Sequence, residues 1–144
     1  MTVVHRIVIS ALVFAFNTEI AAAGTCLTSD VMSPAGQRVS SPYGVDRTGR
    51  PGASAGYHQG LDIVNSQGAG TPVYSGSSGS IKYRGFGSGG TIADIVSGDT
   101  RFFYLHMNVL TFQNREKPTI AAGEQVGTMG CMGMKQCAPH LHLG

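Results

Sequence analysis

Charge is scarce in this sequence. Asp, Glu, Lys and Arg make up 12% of its 144 residues, about half the ~25% of an average soluble chain. With hydrophobic residues at 42%, that scarcity excludes charge-rich disorder, which needs low hydrophobicity and high net charge. It also excludes a coiled coil, whose heptads are rich in Ala, Glu, Lys, Leu and Arg. The formal net charge is +2 and there is no run of Lys or Arg, so the chain lacks a footprint for nucleic acid or an acidic membrane. Neither a sustained 3.6-residue apolar stripe nor strand–helix–strand alternation is present, which argues against a nucleotide-binding parallel sheet. The apolar stretch from Ile7 to Phe16 has ten residues, well short of the ~20 that span a bilayer.

That stretch has a different reading. His5 and Arg6 precede it, and Ala21, Ala22 and Ala23 follow as a small-residue cleavage site. Residues 1–23 therefore read as a secretory signal peptide, with a helix of the domain itself as the alternative. Export places the chain in an oxidising compartment, periplasmic or extracellular, and leaves no membrane insertion once the signal is removed. The three cysteines, Cys26, Cys131 and Cys137, then allow one disulfide and one thiol, with Cys131 and Cys137 the nearest pair.

The length suits one domain. Residues 24–40 read as an irregular N-terminal arm and 41–144 as the domain, with Ser, Pro, Gly and Arg frequent as far as Tyr57. Glycine, at 21 residues, is about twice as frequent as the usual ~7%. It punctuates short β-type runs at Leu61–Asn65, Thr71–Ser75, Ser80–Arg84, Thr91–Ser97, Arg101–Met107 and Gln125–Met129. This spacing predicts an all-β, antiparallel domain. Gly85, Gly87 and Gly90 spell a dinucleotide fingerprint, but Thr91–Val96 after them reads as strand, so the glycines form a hairpin loop. Asp94, Asp99, Glu116 and Glu124 read as surface carboxylates.

Histidine carries the chemistry. In Tyr57-His58-Gln59-Gly60-Leu61-Asp62, the histidine and the aspartate sit where a loop enters a strand, and Gly60 is expected to turn the backbone so that they converge. A hydrogen-bonded surface pair is the plainer reading. In Pro139-His140-Leu141-His142-Leu143, strand alternation places both histidines on one face and both leucines on the other. A solvated strand face would look the same. His106 ends Tyr104-Leu105-His106-Met107 and shares its strand face with Phe102 and Tyr104, as a satisfied core histidine also would. Together the motifs offer more. Two histidines and an aspartate make the open three-ligand set of a catalytic zinc, with water in the fourth position and two histidines left to handle protons. A closed structural site of Cys131, Cys137, His140 and His142 competes, at a spacing unlike zinc fingers.

These motifs resemble the lysostaphin-type zinc metalloendopeptidases, which include LytM-like cell-wall hydrolases. The resemblance runs from about Ser41 to Leu143. It includes H-x-G-x-D at His58–Asp62, Gly70-Thr71-Pro72-Val73-Tyr74, Tyr104-Leu105-His106-Met107, Gly123-Glu124-Gln125-Val126-Gly127 and Pro139-His140-Leu141-His142. Tyr43-Gly44-Val45-Asp46-Arg47 stands where the family often has Phe-Gly-x-Arg, with the arginine one place later. The resemblance implies a compact antiparallel β-sheet domain with a long groove. It implies zinc held by His58, Asp62 and His142, with His106 and His140 catalytic. The implied substrate is the peptide of peptidoglycan, as a stem or a cross-bridge. A non-catalytic wall-binding or activator module, or a domain in an envelope secretion or division assembly, remains the alternative.

Overall fold

The structure is a computed structural model that describes residues 27–50, 56–86, 90–111 and 119–144. The signal segment 1–23, Cys26 and Glu116 lie outside the described residues. Ten strands and no helix occur among those described. In chain order they are β1 (Gln37–Ser41), β2 (Leu61–Asn65), β3 (Pro72–Tyr74), β4 (Gly79–Phe86), β5 (Gly90–Ser97), β6 (Thr100–Leu105), β7 (Met107–Leu110), β8 (Thr119–Ile120), β9 (Gln125–Met129) and β10 (Leu141–Leu143). Seven form one sheet in the order β1-β2-β10-β6-β5-β4-β8, and β3-β9-β7 form a second. All their pairings are antiparallel.

Period-two alternation gives the large sheet one apolar face. Ile63, Leu141, Leu143, Tyr104, Ala93, Ile95 and Ile81 point inward from it and meet Val73, Val126, Met129, Met107 and Leu110 of the small sheet. Tyr104 is fully buried, and its hydroxyl accepts a hydrogen bond from the Gly76 amide at 2.9 Å. The β5–β6 hairpin turns on Gly98-Asp99, with Gly98 at φ 57°, the positive value a two-residue turn asks of glycine. Gly85 and Gly90 of the glycine fingerprint lie in β4 and β5, which pair antiparallel through Phe86 and Gly90, and Gly87 lies outside the described residues.

Three features differ from the sequence-based expectation. The segment before β2 is not wholly irregular: β1 pairs with β2, and Val31 and Met32 are buried in the common core. The run Arg101–Met107 is not one strand. The chain leaves the large sheet at Leu105 and enters the small one at Met107, turning at His106 with φ 65°. Asp94 is no surface carboxylate. It is 3% exposed, because Arg101 and Arg84 fold over it: Arg101 Nε donates to Oδ1 at 2.6 Å, Arg84 Nε donates to Oδ2 at 3.1 Å, and Arg101 Nη2 also donates to Oδ2.

The hydrogen bond from Arg101, working against burial and helped by the charges of both arginines, holds the Asp94 carboxyl below the ordinary aspartate range. A depressed carboxyl stabilises the fold above its unfolded value of about 3.9 and loses that contribution as the pH falls through the folded value. Asp94→Asn is therefore expected to lower stability at pH 7. The gap to the parent should close below about pH 4, where the unfolded carboxyl is protonated. Urea midpoints of both proteins across pH 3–7 check this, and a constant gap would contradict it.

Candidate metal centre

The pairing of β2 with β10 builds the centre. Asp62 lies directly opposite His142, between the Leu141–Ile63 and Leu143–Leu61 pairs. The flanking leucines and Ile63 turn into the core, so Asp62 and His142 share the outer face. His142 Nδ1 is 2.9 Å from Asp62 Oδ1. The loop before β2 adds His58, which is held by main-chain bonds: its amide donates to the Val45 carbonyl at 2.9 Å and its carbonyl accepts from the Gly44 amide at 2.8 Å. His58 Nε2 lies 3.1 Å from both Asp62 Oδ1 and His142 Nδ1. The edges of this triangle, 2.9–3.1 Å, are close to the ~3.3 Å that separates ligands on a tetrahedral zinc with bonds of about 2.0 Å. Imidazole nitrogen and carboxylate oxygen are donors that suit zinc. The residues fit the metal.

The surroundings fix the donors. His58 Nδ1 donates to the Pro42 carbonyl at 2.9 Å, which leaves the Nε2 lone pair facing the triangle. Arg47 Nη2 donates to Asp62 Oδ2 and, at 2.9 Å, to Ser41 Oγ. That leaves Oδ1 for the triangle. Burial raises the Asp62 pKa, but the His142 hydrogen bond, the charge of His140 and Arg47 outweigh it and hold the carboxyl well below its usual range. Asp62 is a carboxylate, as a metal ligand has to be.

His140 and His106 flank the triangle. His140 Nε2 is 3.5 Å from Asp62 Oδ1, and its Nδ1 donates to the Ala138 carbonyl at 2.8 Å. His106 Nδ1 donates to the Met132 carbonyl at 2.8 Å, and its ring lies 4.8 Å from His140 and 6.1 Å from His142. Burial foremost, and the neighbouring His140 and His142, push the His106 pKa down, against the Met132 carbonyl and Asp62. The fold thus brings all five site residues named from the sequence together. It corrects one detail and adds to another. His106 does not share the inward face of Phe102 and Tyr104, because its left-handed backbone turns it out of the β6 alternation. Gly60 lies at a bend, as expected, although its φ is not positive. It makes room: a Cβ there would lie 2.5 Å from the Leu143 carbonyl oxygen and 2.6 Å from His142 Nε2.

Cys131 and Cys137 form a disulfide with Cα atoms 5.2 Å apart. This removes the closed Cys2His2 site, which needs thiolates. It also closes the loop that carries Met132 and leads into Ala138, the two residues whose carbonyls anchor the flanking histidines. The sequence motifs missed these carbonyls, that of Pro42, and the role of Arg47. Only Arg47 left a signal, in the displaced arginine of the Tyr43–Arg47 stretch.

Peptidase family M23 is the family whose sequence model matches, over residues 56–144. No curated protein matches the chain in sequence. Among solved structures, a zinc-containing peptidase from Vibrio cholerae is similar at 22% identity and TM-score 0.60, covering 74% of this chain and 32% of that one. The catalytic domain of the prophage-encoded M23 protein EnpA from Enterococcus faecalis is 26% identical at TM-score 0.60, with 81% and 84% covered. Lysostaphin is 27% identical at TM-score 0.59, with 83% of this chain and 47% of that one covered. The chain thus spans about a third of the Vibrio cholerae protein and about half of lysostaphin.

Two substitutions test the geometry without reference to activity. Arg47→Gln frees Asp62 Oδ2 and is expected to weaken zinc binding by about 10–100-fold, the usual cost of losing a group that orients a ligand. Gly60→Ala drives a methyl into the His142 ring and the Leu143 carbonyl. It should lower zinc affinity at least about tenfold and stability by about 1–3 kcal/mol. Competition with a chromophoric chelator and urea unfolding measure the two effects. Parent-like affinity in both variants would contradict the arrangement.

Proposed function

Because this chain belongs to peptidase family M23, we propose that it is an exported zinc metalloendopeptidase hydrolysing peptide bonds in peptidoglycan stems or cross-bridges. The observation that carries this reading is the convergence of four imidazoles and one carboxylate, from three separate stretches of chain, on a single point of the sheet face. His58, Asp62 and His142 would hold the metal. When bound, zinc supplies Lewis acidity, acidifying a water and polarising a carbonyl.

The chain's own residues do the rest. With Nδ1 of His140 and His106 donating to the Ala138 and Met132 carbonyls, each ring presents its Nε2 lone pair inward. His140, the nearer to Asp62, accepts a proton from the attacking water at Nε2. As an imidazolium it can return that proton to the departing amine. His106 stands beside His140, the two ring centres 4.8 Å apart, as a second group that can handle protons. Burial holds it neutral, so it too enters as an acceptor. Arg47 keeps Asp62 ionised and aimed.

The reading predicts a split between two variants. His142→Ala should lose both zinc and turnover. Metal-loaded His106→Ala should keep its zinc while turnover falls about 10²–10⁴-fold, the range for a lost proton-transfer group. Zymography on purified cell wall, with and without chelator, together with metal analysis, reads both. Undiminished cleavage by the His106→Ala variant would overturn the mechanism. Wall binding without cleavage by the zinc-loaded parent would make the domain a non-catalytic module.

A further inference from the structure

Three cations gather on the outer face of the large sheet beside the candidate centre. The register places them there. His142 pairs with Leu105, and alternation along β6 brings Phe103 and Arg101 to the same face. Phe103 pairs with Asp94, Asp94 pairs with Lys82, and Arg84 follows on that face of β4. Among the described residues, Lys82, Arg84 and Arg101 share this part of the face with one carboxylate, that of Asp94, a balance of two positive charges. That equals the formal net charge of the whole chain, +2.

The patch is organised in advance. Arg101 alone engages both Asp94 oxygens, so Arg84 is surplus to what the buried carboxylate needs. The guanidinium carbons lie 5.4 Å (Arg84) and 5.0 Å (Arg101) from the centre of the Phe103 ring. Yet the side chains remain 42% and 53% exposed while Asp94 is 3% exposed. The anion is sealed under the cations, and the cations face outward.

Phe103 links the patch to the centre. It exchanges two main-chain hydrogen bonds with Gly144, of 2.7 and 3.0 Å. A Cβ on Gly144 would lie 3.6 Å from His142 Nε2 and 3.9 Å from Phe103 Cδ2. From His142, Asp94 is two strands over and two residues along, a distance of about 12 Å. An extended peptide covers that in three to four residues, at ~3.3 Å each.

We propose that Arg84 and Arg101 form a subsite for a free carboxylate of the substrate peptide, three to four residues from the bond that is cut. The planar guanidinium fork suits a carboxylate, and Asp94 holds both forks in place before the substrate arrives. The preferred substrate is then an acidic stem peptide and not a neutral oligoglycine bridge. This rests on the peptidase reading of the neighbouring centre and adds a substrate class to it.

The test compares an acidic stem peptide with its twin in which the carboxylates are amidated. With the zinc-loaded parent, the acidic peptide should show a KM about tenfold lower at similar kcat, the size of one charge-assisted contact, and added salt should narrow the difference. Arg101→Gln should erase the preference, and Arg101→Lys, which keeps the charge without the fork, should restore part of it. Calorimetry with the zinc-loaded His106→Ala variant should show the same preference in binding, without turnover. Equal KM values for both peptides in the parent, or an undiminished preference in Arg101→Gln, overturn the subsite. If Arg101→Gln does not fold, the parent comparison decides alone. Preferential binding of the acidic peptide with no cleavage of either supports the subsite and overturns the peptidase reading instead.

Discussion

The candidate centre depends on the register between β2 and β10. Asp62 and His142 face each other because Leu141 pairs with Ile63 and Leu143 with Leu61. Leu141, Ile63 and Leu143 belong to the buried core. A slip of one residue would send His142 into that core and Leu141 or Leu143 into water, so hydrophobic burial enforces the pairing of the two polar residues. The apolar half of each short strand thereby positions the chemical half.

A second constraint acts on the rings. Three of the four histidines, His58, His106 and His140, donate Nδ1–H to main-chain carbonyls, those of Pro42, Met132 and Ala138. A carbonyl can only accept, so each bond fixes the tautomer as well as the orientation of its ring. Two of these carbonyls come from the segment that the Cys131–Cys137 disulfide closes or adjoins. The bridge is thus more than a staple for a small domain. It holds the part of the chain that sets two imidazoles.

His106 shows how the two-sheet architecture serves the same end. It occupies the single residue between β6 and β7, and its left-handed backbone costs about 1–3 kcal/mol for a non-glycine residue. Burial of Tyr104 and Met107 on either side, both fully enclosed, offsets that cost. The strained turn releases His106 from the inward face of β6 and brings it beside His140. The same outer face of the large sheet continues past Phe103 to the arginine pair over Asp94, so the centre and the basic patch share one floor.

The class of the fold was legible in the sequence, and so were the five residues that the structure brings together at the candidate centre. Period-two runs divided by glycine mean short antiparallel strands, and H-x-G-x-D with H-x-H offers metal donors whatever the loops between them do. Local patterns carry such information because alternation and donor chemistry are properties of a few neighbouring residues. What the sequence withheld was set by contacts between distant segments. The carbonyls of Pro42, Met132 and Ala138 are chemically identical to every other carbonyl, and only tertiary placement selects them. Gly60 sits at a bend, but the space it leaves for His142 is set by a strand eighty residues away and left no mark in the sequence. Asp94 looked exposed until Arg84 and Arg101, ten residues before it and seven after it, folded over it. His106 looked like a strand residue because only the junction of two sheets demanded its left-handed turn. Sequence determined which groups exist and which face each strand would bury. Tertiary structure alone decided which of them meet, because ion pairs, ring anchors and steric vacancies form between segments that pattern reading treats as independent.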